Sequence, residues 1–233
     1  MTNIVSNIEA VQQRIRLACQ KSGRPVDAVT LLAVTKTVSP DAIKQAVQAG
    51  LRDFGENYIA EGVEKIALLQ AETAQFNLTW HCIGPVQSNK TRLVAEYFDW
   101  VHTVDRLKTA QRLNDQRSPH AKQLQVCIQV NIDGGPTKSG VAPQEVLALA
   151  QEMVKLPRLK LRGIMTIPEP AIDSVASQAI HTPAKVLFDD LNRQGFELDT
   201  LSIGMSADME PAIWAGSTLV RVGTAIFGQR GQG

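Results

Sequence analysis

Four positions carry side chains that can do chemistry where the surrounding sequence reads as structure. Lys36 stands at the end of a short uncharged run, Leu31 to Val34, just before a helix start marked by Ser39 and Pro40 and closed by Gly50. Cap and turn preferences make this a strand, a lysine and a helix in that order. A lysine at a strand end usually points to water. With apolar neighbours it loses solvation, its pKa falls, and its amine becomes a nucleophile toward a carbonyl carbon. Arg221 lies between Val220 and Val222, and strand alternation puts Leu219, Arg221 and Gly223 on one face. A guanidinium among aliphatics needs an acceptor or a ring. An ion pair with an acidic group inside the fold accounts for it as well as a ligand contact does. Gly204-Met205-Ser206 runs into a helix with Ser206 near its N-cap, and Gly223-Thr224 offers bare backbone N–H groups and a hydroxyl. Such groups suit a phosphate. The plainer account is that Ser206 caps its helix and the glycines turn the chain. A reactive amine facing an anion cup fits an aldehyde with a phosphate tail, a class that includes pyridoxal phosphate and some sugar phosphates.

The elements that must position these residues follow from periodicity. Strand-like runs occur at Val29–Val34, Leu51–Phe54, Thr79–Ile83, Trp100–Val104, Leu124–Asn131, Leu161–Ile167, Thr200–Ile203 and Leu219–Ile226. Helical patterns separate them at Pro40–Ala49, Tyr58–Gln70, Ser88–Tyr97, Leu107–Asp115, Pro143–Lys155, Ser174–Gln194 and Ala207–Ala215. Strands alternating with helices give parallel units. Eight of them in 233 residues predict a closed (β/α)8 barrel, a fold of about 250 residues. An open doubly wound sheet is disfavoured because Thr35-Lys36-Thr37 stands where a glycine-rich dinucleotide turn would be. An extra helix is expected over residues 2–22, with Ile4, Ile8, Val11, Ile15 and Ala18 as its apolar stripe, Ser6 and Glu9 as a capping box, and Gly23-Arg24-Pro25 as its end. No helical pattern follows the eighth run, so this N-terminal helix is expected to cover the gap.

In such a barrel, chemistry collects at the C-terminal strand ends. Those ends also offer Glu56-Asn57, Gly84 to Asn89, Asn131 and Met165 to Pro168. The segment Gly134 to Gly140 is expected to be a mobile loop, because its glycines and polar residues bury nothing. His81, between Trp80 and Cys82, reads as a core histidine before a catalyst. Lys90 and Arg92 read as a solvated helix face.

Composition narrows the function classes. A net charge of +1 leaves no footprint for nucleic acid or anionic membrane. No apolar run is long enough to span a bilayer and no leader is visible, so the chain reads as cytoplasmic. Cys19, Cys82 and Cys127 are scattered and suggest neither disulfides nor a metal site, and the four histidines show no ligand spacing.

The motifs AVTKTVS, DFGENY, WHCIGPVQSNK, VNIDGGPTKSG, LRGIMTIP and LSIGMSADMEPAIWAGSTLVRVGTAIFG extend over nearly the whole chain. Together they resemble the pyridoxal phosphate homeostasis proteins, single-domain relatives of the alanine racemase barrel. Ile203 and Val86 replace other aliphatics, and Glu169 to Pro183 is less typical. The resemblance implies an alanine racemase N-terminal-domain-like barrel forming one domain over residues 1–233, acting as a monomer. It implies pyridoxal 5'-phosphate as cofactor, held as an internal aldimine on Lys36. The phosphate would sit among Ser206, Gly223 and Thr224, and Arg221 would face the pyridine nitrogen, with Asn57 and Met165 near the ring. A permanent charge there disfavours ring protonation and weakens the ring as an electron sink. The implied function is vitamin B6 homeostasis affecting amino-acid and keto-acid balance, through a regulatory protein partner if one exists, without strong turnover. The alternative is a racemase-like enzyme. It needs acid–base groups on both faces of a planar intermediate. In the full racemases the opposite base looks to be a tyrosine from an additional domain of the partner subunit, and the tyrosines of this chain are Tyr58 and Tyr97. A Schiff-base aldolase acting on a sugar phosphate leaves Arg221 unexplained.

Overall fold

The computed structural model describes residues 3–135 and 138–228. Eight parallel strands close into a barrel in sequence order, β1 to β8, with β8 pairing back onto β1. They are β1 Thr30–Val34, β2 Asp53–Glu56, β3 Thr79–Cys82, β4 Trp100–Val104, β5 Leu124–Gln129, β6 Leu159–Met165, β7 Thr200–Met205 and β8 Leu219–Val222. The helices are α1 Ile4–Lys21, α2 Pro40–Gln48, α3 Ile59–Thr73, α4 Thr91–Tyr97, α5 Leu107–Gln116, α6 Val146–Met153, α7 Ser174–Arg193, α8 Met209–Trp214 and α9 Thr224–Phe227. The expected barrel is therefore the observed one. The second strand lies two residues later than expected, which brings Glu56 into the strand and puts Asn57 at its mouth.

Most of the core lies between the sheet and the helices, where aliphatic faces of both meet. A separate small cluster of Leu32, Val34, Ile83 and Leu219 fills part of the barrel interior. Gly55 faces that cluster, and a Cβ there would stand 3.0 Å from Ile83 and 3.2 Å from Leu32.

Helix α1 buries the predicted stripe, Ile4, Ile8, Val11, Ile15 and Ala18, together with Cys19. Its N-cap is Asn3, whose side chain accepts from the Ser6 amide at 3.1 Å; Ser6 lies inside the helix and starts no capping box. The helix packs on α8 and α9. Asn7 donates to the Ile226 carbonyl at 2.8 Å, and Arg14 forks onto Glu210 at 2.6 and 2.9 Å. A helix was not expected after β8, yet α9 is there. The strand stops at Val222 because Gly223 breaks the extended run and Thr224 to Phe227 close a single helical turn through the Gly223 carbonyl. One turn covers little, so α1 still seals this corner. The less typical stretch resolves into a proline-rich loop followed by α7, with Pro183 inside the helix. The expected mobile loop falls partly on residues 136 and 137, outside the described residues. Its flanks are tied down: Val141 accepts from the Asn131 amide, and Lys138 pairs with Asp133 and Glu169.

Candidate cofactor site at the C-terminal mouth

Lys36, Asn57, Ser206, Arg221, Gly223 and Thr224 line one cavity of about 300 Å³, with Val34, Ile83, Ile167 and Met205 as its apolar wall. Six of the seven residues singled out from the sequence thus converge on one place, at the C-terminal ends of β1, β2, β7 and β8. The seventh, Met165, is fully buried at the end of β6 and is not among the lining residues. A second cavity of about 570 Å³ abuts the first, sharing Met205 and Ala207, and is walled by residues 168–174 and by α8.

The backbone around Lys36 is held from both sides. Lys65, buried on α3, donates to the Thr35 carbonyl at 2.5 Å, to Glu56 at 2.9 Å and to Glu61 at 2.6 Å. Thr35 donates its hydroxyl to Glu56 at 2.6 Å, and Glu61 accepts from the Thr37 amide at 2.6 Å. Thr37 is held at φ +60°, a conformation that residues with a Cβ rarely adopt. Burial pushes the Glu56 carboxyl up, against the pull of Thr35 and Lys65. The sequence reading missed this cluster, because Lys65 and Glu61 look like an ordinary exposed i,i+4 pair.

Arg221 is 4% exposed. Its Nη1 donates to the Ser202 carbonyl and hydroxyl at 2.6 and 2.8 Å, and its Nη2 donates to the Thr166 carbonyl at 2.9 Å. These acceptors are neutral oxygens rather than the carboxylate of a structural ion pair. Burial pushes the guanidinium down to about 10, opposed by Asp208, so it remains charged at neutral pH. A charge fixed in place at a cavity wall is poised to meet an acceptor there.

Ser206 does not cap α8. Asp208 takes that place, and its carboxylate accepts from the Met205 amide at 2.6 Å and from His181 at 2.8 Å. Burial pushes the Asp208 carboxyl up, but these bonds and the charge of Arg221 outweigh it and hold it below the usual range. The turn carrying Ser206 is therefore pinned from inside, while Arg14 donates to the Ser206 carbonyl at 3.3 Å from outside. Thr224 is exposed at the mouth, and with Gly223 it begins α9, where first-turn N–H groups lack intrahelical partners. Asn57 has its Oδ1 buried without a hydrogen-bond partner among the described residues. A primary amine, a pinned cation and a hydroxyl-bearing turn supply donors around one cavity, and an orphaned amide oxygen supplies an acceptor; together they fit a phosphorylated aldehyde with a ring acceptor. Among the described residues no His, Cys, Asp and Glu group could hold a metal ion.

The profile of the alanine racemase N-terminal domain matches residues 6–231. The pyridoxal phosphate homeostasis protein of Vibrio cholerae is 53% identical over 99% of this chain and 98% of its own, and that of Pseudomonas aeruginosa is 52% identical over 100% and 98%. PipY of Synechococcus elongatus, solved with PLP bound, superposes with a TM-score of 0.77 at 35% identity, covering 92% of this chain and 99% of that one. With that agreement along its whole length, the chain belongs to the alanine racemase N-terminal domain family and, within it, to the pyridoxal phosphate homeostasis proteins.

Proposed function

We propose that this protein holds pyridoxal 5'-phosphate in the C-terminal mouth of the barrel and serves vitamin B6 homeostasis as a carrier, buffer or regulator. The observation that carries the reading is the convergence of Lys36, Arg221, Ser206, Gly223 and Thr224 on one cavity. When bound, the cofactor supplies an aldehyde carbon that condenses with a primary amine and a ring that withdraws electrons. Lys36 supplies the amine. Ser206, Gly223 and Thr224 bind the phosphate. Arg221, pinned by Ser202 and Thr166, directs its charge at the pyridine nitrogen and keeps it unprotonated, which disfavours carbanion chemistry. Asn57 adds a buried acceptor beside the ring, and Met165 acts only through the packing under it.

Racemisation needs a second acid–base group opposite Lys36. Tyr58 and Tyr97 are both exposed, and neither lines the cavity. The mouth is also open to water through Met205, Ile167 and Thr224, which protects reactive intermediates poorly and lets the cofactor leave. We read the protein as a monomer of the cytoplasm; among the described residues no helix is long and apolar enough to cross a membrane.

The test begins with the absorbance of the loaded protein, borohydride reduction and peptide mapping. The label belongs on the Lys36 peptide, and the same band and label in Lys36→Ala would overturn the assignment. Mixing loaded protein with an apo enzyme that needs the cofactor should restore that enzyme's activity. Chiral analysis of alanine and other amino acids should show almost no racemisation; more than about 1 turnover per second, ordinary for an enzyme, would favour the racemase reading.

A further inference from the structure

A chain of polar side chains runs through the barrel from the opposite mouth to Arg221. Asp53 opens β2 at the N-terminal mouth, beside a cavity of about 280 Å³. Its Oδ1 lies 3.2 Å from His81 Nε2, and His81 Nδ1 lies 2.9 Å from His102 Nε2. His102 Nδ1 lies 2.9 Å from Ser202 Oγ, which accepts from Arg221 at 2.8 Å. Both rings are buried.

The direction of every hydrogen in this chain follows from its two ends. A guanidinium only donates, so Ser202 Oγ accepts from Arg221 and must place its own hydrogen elsewhere. Among the described residues its remaining partner is His102 Nδ1, which therefore carries no hydrogen. A neutral His102 then carries it on Nε2 and donates to His81 Nδ1. His81 carries its hydrogen on Nε2 and donates to the Asp53 carboxylate, which only accepts. We propose that Asp53, His81, His102 and Ser202 form one polarised hydrogen-bond chain that positions Arg221, so that protonation of the histidine pair is felt at the cofactor site. The coupling rests on the placement of the cofactor against Arg221 given above.

Adding one proton to the pair breaks the order. Either two N–H groups face each other between the rings, or His102 turns donor toward Ser202. In the second case Ser202 faces donors on both sides and its own hydrogen has no acceptor. The pair gains one N–H bond with a proton from solvent and no heavy-atom bond changes; the orientation of the hydroxyl that accepts from Arg221 does. The charged and titratable groups facing the pair are Asp53 from β2, Arg162 from β6 with its partner Asp199 just before β7, and Arg221 from β8, with Cys127 of β5 close to Arg221. Arg162 lies over the Trp100 ring, which stacks on His81. Burial, with His81 and Arg221 adding to it, holds His102 well below the ordinary histidine range.

Two measurements test this. Nitrogen–proton correlation spectra of histidine-labelled apo protein at about pH 8 should show Nε2–H tautomers at both His81 and His102. An Nδ1–H tautomer at either would overturn the chain whether or not the cofactor binds. The dissociation constant of pyridoxal phosphate should then be followed from about pH 8 downward in wild type and in Asp53→Asn. Asp53 is partly exposed at the far mouth, so a structural role alone would not move this profile. The carboxylate favours protonation of the pair. Its loss should move the weakening of affinity to lower pH, and at an intermediate pH the variant should bind about fivefold tighter than wild type, the low end for coupled sites. Superposable profiles would overturn the coupling. Wild type that binds no cofactor at any pH would overturn the cofactor reading and the coupling together, while the tautomers would still decide the chain.

Discussion

The two faces of the β-sheet are made of different materials. Toward the helices lies a continuous apolar shell with Phe54, Phe98, Ile43, Leu113 and Ile128 among its fully buried members. Toward the barrel axis, four aliphatics share the space with Asp53, His81, His102, Ser202 and Arg221 in one hydrogen-bonded line. The outside supplies the non-directional burial that holds the fold. The inside gives up some of that burial for groups whose hydrogen bonds have a direction. Damage outside should therefore appear as lost stability with an intact site, and damage inside as an altered site in a folded barrel.

The sharpest break of the shell is Phe54→Ala. Phe54 is 0% exposed and packs on Trp80 with ring centroids 5.5 Å apart. Its loss should cost about 3–5 kcal/mol in denaturant unfolding, with no change in cofactor absorbance in the fraction that remains folded. Next comes Lys65→Met, which removes the cation from a charged cluster embedded in the shell. Glu56 and Glu61 are left facing each other, one of them fully buried, at a cost of about 3 kcal/mol or more. Because Lys65 also holds the Thr35 carbonyl, this variant should lose borohydride labelling at Lys36 as well, which Phe54→Ala should not.

At the mouth, Thr224→Ala should leave the melting temperature near wild type and weaken cofactor binding by about 1–3 kcal/mol, the loss of one donor to a bound anion. Pyridoxal without phosphate should bind poorly to wild type and ignore the mutation. Inside the barrel, His102 is kept neutral where the unfolded chain would protonate it. Its contribution is therefore complete above about pH 6.5 and is lost as the pH falls below that value, by up to about 1.4 kcal/mol per pH unit. His102→Gln should flatten the fall in melting temperature between neutral and mildly acidic pH. The smallest effect belongs to Arg14→Ala at the outer rim. Its half-exposed pair with Glu210 is worth about 1 kcal/mol or less after screening, and the readout is a modest loss of cofactor affinity through the Ser206 turn.

The shell was easier to read from sequence than the interior. The period of α1 marked Ile4 through Ala18 because each residue reports its own burial. Lys36, Ser206, Gly223 and Thr224 were legible because strand ends in a barrel share one face. What failed was local punctuation. The apolar run Leu219 to Ile226 looked like one strand, since an apolar stretch alone cannot separate a strand from a helical turn. Ser206 looked like a cap because Asp208, two residues on, is equally suited to the role. His81 was rightly read as buried, but its partners lie 21 residues forward in His102 and 28 back in Asp53. The acceptors of Arg221 lie on β7 and just past the end of β6. Pairings of that kind depend on the closed barrel, and no spacing along the chain announces them.

The β1–β8 ladder joins the first strand to the last, and the Asn7–Ile226 hydrogen bond joins residues 219 apart along the chain. The site spans that seam, with Lys36 on one side and Arg221, Gly223 and Thr224 on the other. During synthesis the first strand leaves the ribosome long before the last one, and it waits with an unpaired edge. A chain stalled before residue 219 lacks β8, so it has neither a closed barrel nor a complete mouth. On the cofactor placement proposed above, uptake is in that sense a completion signal, because the cavity needs the final strand in place.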